Sequence, residues 1–412
     1  MREQMVTHLL ENIEKETDSR IKLRNLKHIS ELTEEAKFAI DILVKFLDDT
    51  DARVREITAQ IIKKIGSMSD DIVKKLIETY SEEKDNDVKS AILEALGSSK
   101  SKLASPFLVN ILNHEKNDFL RQNAVESLGI LGFNEIYDNL VNALLNDSAA
   151  NVRYAAANIL KWIHNDDKIQ PLLKALQNDE DSLVRSGAAW SLGSSHNNDI
   201  TVPVLLESLK KEKDEYVRFY IIKTLAELKD ERAACDLIEI ADKDPDLKVR
   251  MIAIESVGII GSNYCIDMLL DLYQKAPTKN IQNKIATTIN FVGESAVEQL
   301  NKIKEKVKDE KDKRDLEKEN QQLNIFRLGE LQKIIRHFKS ISVELFSELL
   351  HYHNTTEIYN WINGLPENLG ISILEQQDYD KLIFSIEQDE QIREFKINQI
   401  VNNFKKYFKL DY

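Results

Sequence analysis

The 412-residue sequence has few of the segments and residues that identify several large classes of protein. It contains no run of about 18 apolar residues, so we expect no membrane-spanning helix. Its first residues lack the apolar core and the cleavage site of a signal peptide. Six Pro and twelve Gly are too few for a sandwich or barrel that is rich in tight turns. These absences predict a soluble, cytoplasmic protein without a transmembrane segment.

Cysteine is almost as scarce. The two cysteines, Cys235 and Cys265, fall on predicted helices among apolar neighbours. We therefore expect both to be buried as small apolar side chains in a reducing compartment, rather than to form a disulfide or to bind a metal.

Basic residues are in deficit, with 56 Lys and Arg against 70 Asp and Glu, which gives a formal net charge of −14 at pH 7. Affinity for nucleic acid comes mainly from clustered Lys and Arg, so this balance argues against a general DNA or RNA clamp. An acidic surface fits solubility and basic protein partners equally well.

What the sequence does contain is a repeat. Segments such as DSLVRSGAAWSLG at 181–193 recur along the chain, and we use the apolar residue before the Arg as the marker of each repeat. Successive markers are 32 to 34 residues apart, a period that is typical of a solenoid. The nine markers are Ile21, Val54, Val88, Leu120, Val152, Val184, Val217, Val249 and Ile281.

Each repeat is predicted to hold two helices, the second of which begins at the marker. The residues four and eight after the marker, such as Ala156 and Leu160, are expected to be buried. An Asp three residues before the marker is expected to cap the second helix, namely at Asp51, Asp181, Asp214 and Asp246. A Gly nine residues after the marker is expected to let the chain leave that helix, namely at Gly97, Gly129, Gly193 and Gly258.

The pattern D-x-x-V-R-x-x-A-A-x-x-L-G resembles the HEAT-like repeats that are named after phycobilisome lyases, over roughly residues 18–300. The resemblance implies an all-α fold, an α-solenoid or superhelix of about nine HEAT-like two-helix repeats, at residues 1–302. Arrays of this kind mostly act as binding scaffolds, and the fold alone does not identify a partner.

The composition changes after the repeats. Residues 303–325 carry charges of both signs and are predicted to form a charged helical linker, with disorder as the alternative. Residues 326–412 resemble a winged-helix module, a small α+β domain, followed by a C-terminal helix. The predicted elements are helices at Leu331–Phe338, Val343–Leu350 and Thr355–Ile362, a turn at Ser340–Ser342, a hairpin of Gly370–Leu374 and Lys381–Ile386, and a helix through Ile392–Phe408.

Protein docking is the preferred role for this C-terminal module. Its third predicted helix, Thr355–Ile362, has no Lys or Arg to meet phosphates, and residues 321–412 hold 10 Lys and Arg against 13 Asp and Glu. DNA binding by the winged helix is the alternative.

The Arg that follows six of the markers has two interpretations. It forms an anion-binding stripe, or each Arg pairs with an Asp of its own or a neighbouring repeat, which the recurring carboxylates favour. The residues concerned are Arg55, Arg121, Arg153, Arg185, Arg218 and Arg250, with Asp181, Asp214 and Asp246.

Residues two and six after the marker share an exposed ridge of the second helix, one turn apart. They are mostly polar, but they become aromatic in the middle repeats, which predicts a partner-binding cluster. The candidate residues are Tyr154, Trp190, Phe219, Tyr220 and Lys223. The alternative is that these rings pack against the neighbouring repeat. Trp162, at the end of its helix, is expected to belong to the core.

Two enzyme activities follow from the resemblance alone. HEAT-like arrays include deoxyhypusine hydroxylases, whose di-iron site is built from His-Glu pairs at the starts of second helices, where this chain has Tyr154-Ala155, Ser186-Gly187 and Phe219-Tyr220. No feature identifies the tetrapyrrole groove that a bilin lyase needs, and His351 with His353 is weak support for zinc. We therefore expect no catalytic residue, no metal and no cofactor.

These observations predict a non-catalytic scaffold that holds a protein partner on the concave surface of the solenoid and a second protein on the C-terminal module. A nucleic-acid-associated regulator that uses the winged helix is the alternative. A HEAT-like lyase or hydroxylase is the second alternative.

Overall fold

In the computed structural model the chain forms two compact units. Unit 1 comprises Met1–Gln274 and Lys284–Asn301, and unit 2 comprises Lys275–Asn283 and Lys302–Tyr412. The structure describes residues 2–32, 36–132, 134–164, 166–261, 266–276, 278–292, 296–301, 323, 326–335, 340–342, 346, 350, 355–365, 371–374, 381–384 and 390–407. The predicted linker at 303–325 lies outside these residues except for residue 323, and so do Cys265, His351 and His353.

Helices follow one another in pairs from residue 2 to residue 292. The first helices are Arg2–Lys15, Ile40–Leu43, Asp70–Glu82, Ala104–His114, Tyr137–Asn146, Ile169–Asn178, Asn198–Lys211, Ala234–Lys243 and Ile266–Lys275. The second helices are Ser19–Ser30, Ala52–Ile65, Asn86–Ser98, Asp118–Leu131, Ala150–Leu160, Ser182–Ser191, Glu215–Leu228, Leu247–Ile260 and Lys279–Val292. Short 3₁₀ helices are Lys37–Ala39, Val44–Asp48, Asn134–Ile136, Asp166–Lys168, Leu192–Ser194 and Glu231–Ala233. The array is an all-α solenoid, and no helix in the part of the chain described here is long and apolar enough to cross a bilayer.

The core of the array lies between its two layers of helices. The marker Val152 and the residues four and eight after it, Ala156 and Leu160, are fully buried, and the same positions are buried in each repeat from Val54 to Val249. Consecutive second helices contact one another more extensively than consecutive first helices do. The second helices therefore line the tighter, inner side of the array.

A carboxylate five residues before the marker holds the turn between the two helices in eight of the nine repeats. In the Val152 repeat, the backbone N–H of Ala149 donates to Asp147 at 2.8 Å. The same bond closes the turn in every repeat from Ile21 to Val249. The carboxylates are Glu16, Asp49, Glu83, Glu115, Asp147, Asp179, Glu212 and Asp244.

The same carboxylate receives the Arg of the preceding repeat. Arg153 donates from Nε and Nη2 to the two oxygens of Asp179 at 2.7 and 2.9 Å, and from Nη1 to the carbonyl oxygen of Asp147 at 3.0 Å. Equivalent two-pronged pairs join Arg55 to Glu83, Arg121 to Asp147, Arg185 to Glu212 and Arg218 to Asp244. These five guanidinium groups are bound within the array, which favours the pairing interpretation over an anion-binding stripe.

The sixth Arg is the exception. Arg250 forms no ion pair with a residue that the structure describes, and its buried Nε has no hydrogen-bond partner there. Ala276 occupies the position five residues before the marker Ile281, where the other repeats have a carboxylate. The series of Arg residues therefore continues to Arg250, but the series of Arg–carboxylate pairs ends at Arg218.

The Asp three residues before the marker caps the second helix rather than pairing with the Arg. Asp181 accepts from the N–H of Leu183, and Asp214 and Asp246 each accept from two N–H groups of the first turn. A capping Asp removes orphan donors from the helix end. Where both residues are acidic, as at Asp179 and Asp181, the turn therefore uses two carboxylates with separate tasks, a partner for the preceding repeat and a cap.

Two of the four glycines that lie nine residues after a marker do not mark the predicted helix exits. Gly129 and Gly258 lie inside their second helices, which continue past them. A Cβ on Gly129 would come within 2.4 Å of Ile159 of the following repeat. These glycines permit a close approach of the next second helix, whereas Gly132 and Gly261, with φ of 68° and 72°, end the helices.

Buried hydroxyl groups add a second link between consecutive second helices. Seven residues after the marker, Ser191 donates to the carbonyl oxygen of Ala157 and Thr224 to that of Ala189, both at 2.7 Å. Ser127 and Thr288 make the equivalent bond. Because a buried polar group is costly unless it is bonded, these hydroxyls favour one register between neighbouring helices.

Unit 2 contains helices and a small sheet. Its helices are 326–335, Thr355–Asn363 and Glu390–Tyr407. Strand Lys381–Phe384 lies between Ser340–Ser342 and Ile371–Leu374 and is antiparallel to both. Ser340–Ser342 was predicted as a turn, but it is a strand because it pairs with the free edge of the hairpin.

The core of unit 2 is built around Trp361. Its ring stacks on Phe346 with centroids 6.2 Å apart and meets Phe404 edge-on at 4.9 Å. Its Nε1 donates to the side chain of Asn403 at 3.0 Å. Trp361 therefore connects the helix Thr355–Asn363 to the last helix of the chain.

The prediction that Cys235 is buried is wrong. Cys235 is exposed on the helix Ala234–Lys243. The buried residues of that helix include Leu237, Ile238 and Ala241, which follow a helical period and leave Cys235 on the opposite face.

Removing one member of an Arg–carboxylate pair should destabilise the array. Arg218→Met leaves the nearly buried Asp244 without its cation, so we expect a loss of about 3 kcal/mol in the free energy of unfolding. Arg250→Met, which breaks no pair, should cost less than about 1 kcal/mol. Urea unfolding followed by circular dichroism compares the two variants, and equal losses would contradict the stabilising role of the pairs.

The carboxylate Glu83 should make stability depend on pH. Burial opposes its ionisation, but hydrogen bonds from Arg55 and from the N–H groups of Asp85 and Lys84 outweigh burial and lower the pKa of Glu83 to about 2. Its stabilising effect, roughly 3 kcal/mol, is therefore present above pH 4.5 and lost as the pH falls toward 2.

Acid titrations of thermal unfolding measure this loss in the wild type and in Glu83→Gln, with the exposed Glu78→Gln as the control. We expect Glu83→Gln to be less stable at neutral pH and to lose less stability on acidification. A curve parallel to that of the control would rule out the ion pair as the source.

Candidate functional site

Residues two, six and ten after a marker lie on one line along the second helix, because a spacing of four residues returns to the same helical face. We call this line the second-helix ridge. In the two central repeats it comprises Tyr154, Asn158, Trp162, Ser186, Trp190 and Ser194. Only the first two positions of each line were predicted from the sequence to be exposed.

Two Trp side chains of consecutive repeats meet on the ridge. Trp162 is 68% exposed, so the prediction that it belongs to the core is wrong. It follows the end of the helix Ala150–Leu160, two residues beyond the last buried position, and meets Trp190 of the next repeat edge-on with centroids 6.4 Å apart. This geometry is favourable for an aromatic pair and leaves one large face in solvent.

Lys161 links the Trp pair to a carboxylate. Its Nζ lies 3.9 Å from the centroid of the Trp190 ring and 3.4 Å from Oε2 of Glu227, which is ten residues after the marker of the next repeat. One ammonium group from the Val152 repeat therefore contacts the ridges of the two repeats that follow.

A buried Lys holds the segment that carries Trp162. The Nζ of Lys168 donates to the carbonyl oxygens of Lys161 and Ile163 at 3.0 and 2.7 Å, and to Oγ of Ser194 at 2.9 Å. Burial lowers the pKa of Lys168, but its three oxygen partners satisfy the donors of the ammonium group. Trp162 is thus presented by a fixed turn rather than by a loose helix end.

The other predicted aromatic residues are less exposed. Tyr154 is half-buried against Gly187 of the next repeat, where a Cβ would lie 2.8 Å from the Tyr154 ring, and burial raises the pKa of Tyr154. Phe219 is half-buried and meets Tyr220 edge-on at 5.5 Å. Tyr220 is only 7% exposed, so it supports the cluster from below and does not belong to its surface. Lys223 is half-buried beside them.

Acidic side chains occupy the ridge in the earlier repeats. Glu56, Glu94 and Glu126 lie on it, and Glu94 forms an ion pair with Lys63 at 3.3 Å. Burial raises the pKa of Glu56, and repulsion from nearby carboxylates, Asp87 among them, raises it further. Acidic side chains therefore outnumber aromatic ones on the ridge in these repeats, although Glu227 and Glu255 also lie on the ridge farther along.

The position ten residues after the marker carries an apolar row that the sequence analysis missed. Its members are Ile130 at 51% exposed, Trp162 at 68%, Ile259 at 47% and Phe291 at 74%. The signal was available in the sequence, since position ten continues the line of positions two and six, but an apolar residue near a helix end resembles a core residue.

Within the described residues, no three His, Cys, Asp or Glu side chains are grouped so as to hold a metal ion. The positions that open the second helices in the central repeats hold Tyr154, Ser186 and Phe219, none of which is a ligand that iron prefers. The chemistry that the ridge offers is therefore aromatic, apolar and acidic contact.

The sequence matches the profile of the HEAT repeats family over residues 40–129, 106–193, 137–219 and 202–290. A search of curated proteins found no match. Among solved structures, Kap121p bound to Pho4p is similar over 98% of this chain and 45% of its own length, with 13% identity and a TM-score of 0.50. The YIBA protein of Escherichia coli shares 25% identity over 64% of this chain and 95% of its own, with a TM-score of 0.46. Human deoxyhypusine hydroxylase shares 17% identity over 64% of this chain and 98% of its own, with a TM-score of 0.29.

Truncation of the exposed Trp162 ring should lower the free energy of unfolding less than truncation of the buried Tyr220 ring. Trp162→Ala should cost about 1 kcal/mol or less, because most of its surface already faces solvent. Tyr220→Ala should cost about 3 kcal/mol, and Tyr220→Phe, which keeps the ring, should cost much less. Urea unfolding of the three variants measures these changes in the free energy of unfolding. A large loss for Trp162→Ala would show that the Trp162 side chain is part of the core.

Proposed function

The chain belongs to the HEAT repeats family, and on that basis we propose that it is a non-catalytic scaffold that binds a protein partner on the second-helix ridge. The observation that carries the proposal is the exposed ring of Trp162 against the half-buried Trp190, with Lys161 against the ring of Trp190. Trp is enriched among the residues that dominate the energy of protein interfaces. A large exposed ring on a fixed turn needs little ordering when a partner covers it.

The neighbouring candidate residues extend this surface. Tyr154 and Phe219 are half-buried on the adjacent ridges, and Lys223 lies one turn beyond Phe219. Tyr220 is assigned a supporting role, because it is buried beneath Phe219. A central aromatic cluster with charged residues around it has the composition of an interface core and its rim.

The comparisons support a binding role in general terms. Kap121p, which is similar in fold, has been solved bound to Pho4p. The wholly helical array of unit 1 offers a continuous row of ridges for such a contact.

We extend the proposal to unit 2, as a winged-helix-like module that docks a second protein. The order of helix, strand, helix and hairpin supports it, as does the sheet in which Lys381–Phe384 is central. The helix Thr355–Asn363 carries no Lys or Arg, which favours a protein over DNA. A nucleic-acid-associated regulator that uses this module is the second candidate.

Affinity purification with the full chain tests the scaffold role. Bait proteins are the wild type, Trp190→Ala/Phe219→Ala, and Gln122→Ala/Glu126→Ala, which changes the same ridge positions in an earlier repeat. We expect a discrete protein to bind the wild type and the control but to bind the aromatic variant more weakly by over about 2 kcal/mol. Titration of the identified partner measures the affinity, and the melting temperatures of the baits should agree closely.

Three outcomes would contradict the proposal. Equal recovery of the partner with all three baits would show that Trp190 and Phe219 do not contribute to binding. A loss of binding that is accompanied by a fall in melting temperature would show that Trp190 and Phe219 stabilise the fold rather than contact the partner. Recovery of nucleic acid, sensitive to salt and unchanged by the variants, would favour the regulator.

A further inference from the structure

One ion pair of unit 1 skips a repeat. The Nζ of Lys161 lies 3.4 Å from Oε2 of Glu227, although a whole repeat, that of Val184, lies between the two repeats that carry them. The Arg pairs and the hydroxyl bonds described above each join consecutive repeats, as is usual in solenoids, where a repeat contacts only its neighbours. The ion pair therefore forms only while the ends of alternate second helices converge over the repeat between them.

The middle repeat accommodates both side chains. Gly193 lies against Glu227, and a Cβ at residue 193 would collide with the Glu227 carboxylate. The ammonium group of Lys161 lies 3.9 Å from the centroid of the Trp190 ring. Oγ of Ser194 donates to the carbonyl oxygen of Lys161 at 2.8 Å, so the backbone of Lys161 is also fixed to the middle repeat. The ion pair is therefore part of a packed cluster that spans three repeats.

Lys161 covers one face of the Trp190 ring. The side chain of Lys161 is only 13% exposed, because it lies over the ring, and that of Glu227 is 35% exposed. Trp162, in contrast, is 68% exposed. A protein that approaches the ridge therefore contacts Trp162 at once, but it reaches the covered face of Trp190 only after Lys161 has moved.

We propose that Lys161 and Glu227 form a clamp over Trp190, an autoinhibitory contact that is closed in the free chain and that a protein partner opens when it binds the Trp190 ring. In the open form the ammonium group of Lys161 leaves both the ring and the Glu227 carboxylate. The proposal rests on the proposed function and adds the regulation of that same site.

The contacts of the clamp are weak enough for a partner to open it. An ion pair of this exposure is screened by salt, and an ammonium group on an accessible ring adds a contribution of similar size. Together the two contacts favour the closed form by roughly tenfold. Since only the open form binds through the covered face of Trp190, the clamp lowers the apparent affinity for the partner by about the same factor.

Quenching of tryptophan fluorescence by acrylamide tests the clamp in the full chain without a partner. Trp162→Phe is the background, because Trp190 is then the tryptophan of the ridge, while Trp361, which is 1% exposed, contributes a constant signal. In this background Lys161→Ala should raise the quenching of Trp190 about twofold, because it uncovers one face of the ring. Adding Glu227→Gln to Lys161→Ala should change nothing further, because the two residues act as one unit.

Two controls match these changes in charge. Lys174→Ala removes an exposed Lys from a first helix, and Glu207→Gln breaks an ion pair with Lys211 within a first helix. Neither control should alter the quenching. Added salt should raise the quenching of the chain that keeps Lys161, but not that of Lys161→Ala. Equal quenching with and without Lys161 would overturn the clamp.

Titration of the partner that the full chain captures, once it is identified, tests the regulation. Lys161→Ala should bind this partner about threefold to tenfold more tightly than the wild type, whereas Lys174→Ala should bind it as the wild type does. Unchanged or weaker binding by Lys161→Ala, together with loss of the partner in Trp190→Ala/Phe219→Ala, would overturn the autoinhibitory role and leave the scaffold role standing. If Trp190→Ala/Phe219→Ala retains the partner, the scaffold role at this site falls, and the autoinhibitory role falls with it.

Discussion

The array depends on the carboxylate that lies five residues before the marker in every repeat from Ile21 to Val249. Asp179 shows its two tasks, since it accepts the N–H that closes its own turn and both donors of Arg153 from the repeat before. Arg153 and Asp179 are nearly buried, where a charge without its partner would be costly. Consecutive repeats are therefore held in one relative arrangement, and a change to either residue disturbs a turn and a stacking contact together.

This arrangement brings the second helices close enough for the finer contacts to form. Ser191 reaches the carbonyl oxygen of Ala157 across the gap, and Gly129 leaves room for Ile159. With these faces committed to packing, the ridge remains available for other roles. It carries Glu56 in one repeat and Trp190 in another, while the buried positions stay the same, so the chemistry of the ridge varies along the array without a change of fold.

Much of the fold could be predicted because it follows from local periodicity. The marker period, the capping Asp and the buried positions four and eight residues later are read within one repeat. The carboxylate partner of Arg218 could not be identified, since Asp244 lies in the next repeat and the pair depends on stacking. The site was predicted in part: Trp190 was found, but Trp162 was assigned to the core and Tyr220 to the surface, because helical period stops being informative where a helix ends and where two aromatic residues are adjacent.

Hydrogen exchange of the full chain with its captured partner, compared with the chain alone, tests the central claim that the second-helix ridge is the binding surface. The account predicts slower exchange along the second helices from Ala150–Leu160 to Glu215–Leu228, with little change in the first helices beside them. Protection confined to the first helices, or to the helices of unit 2, would contradict it.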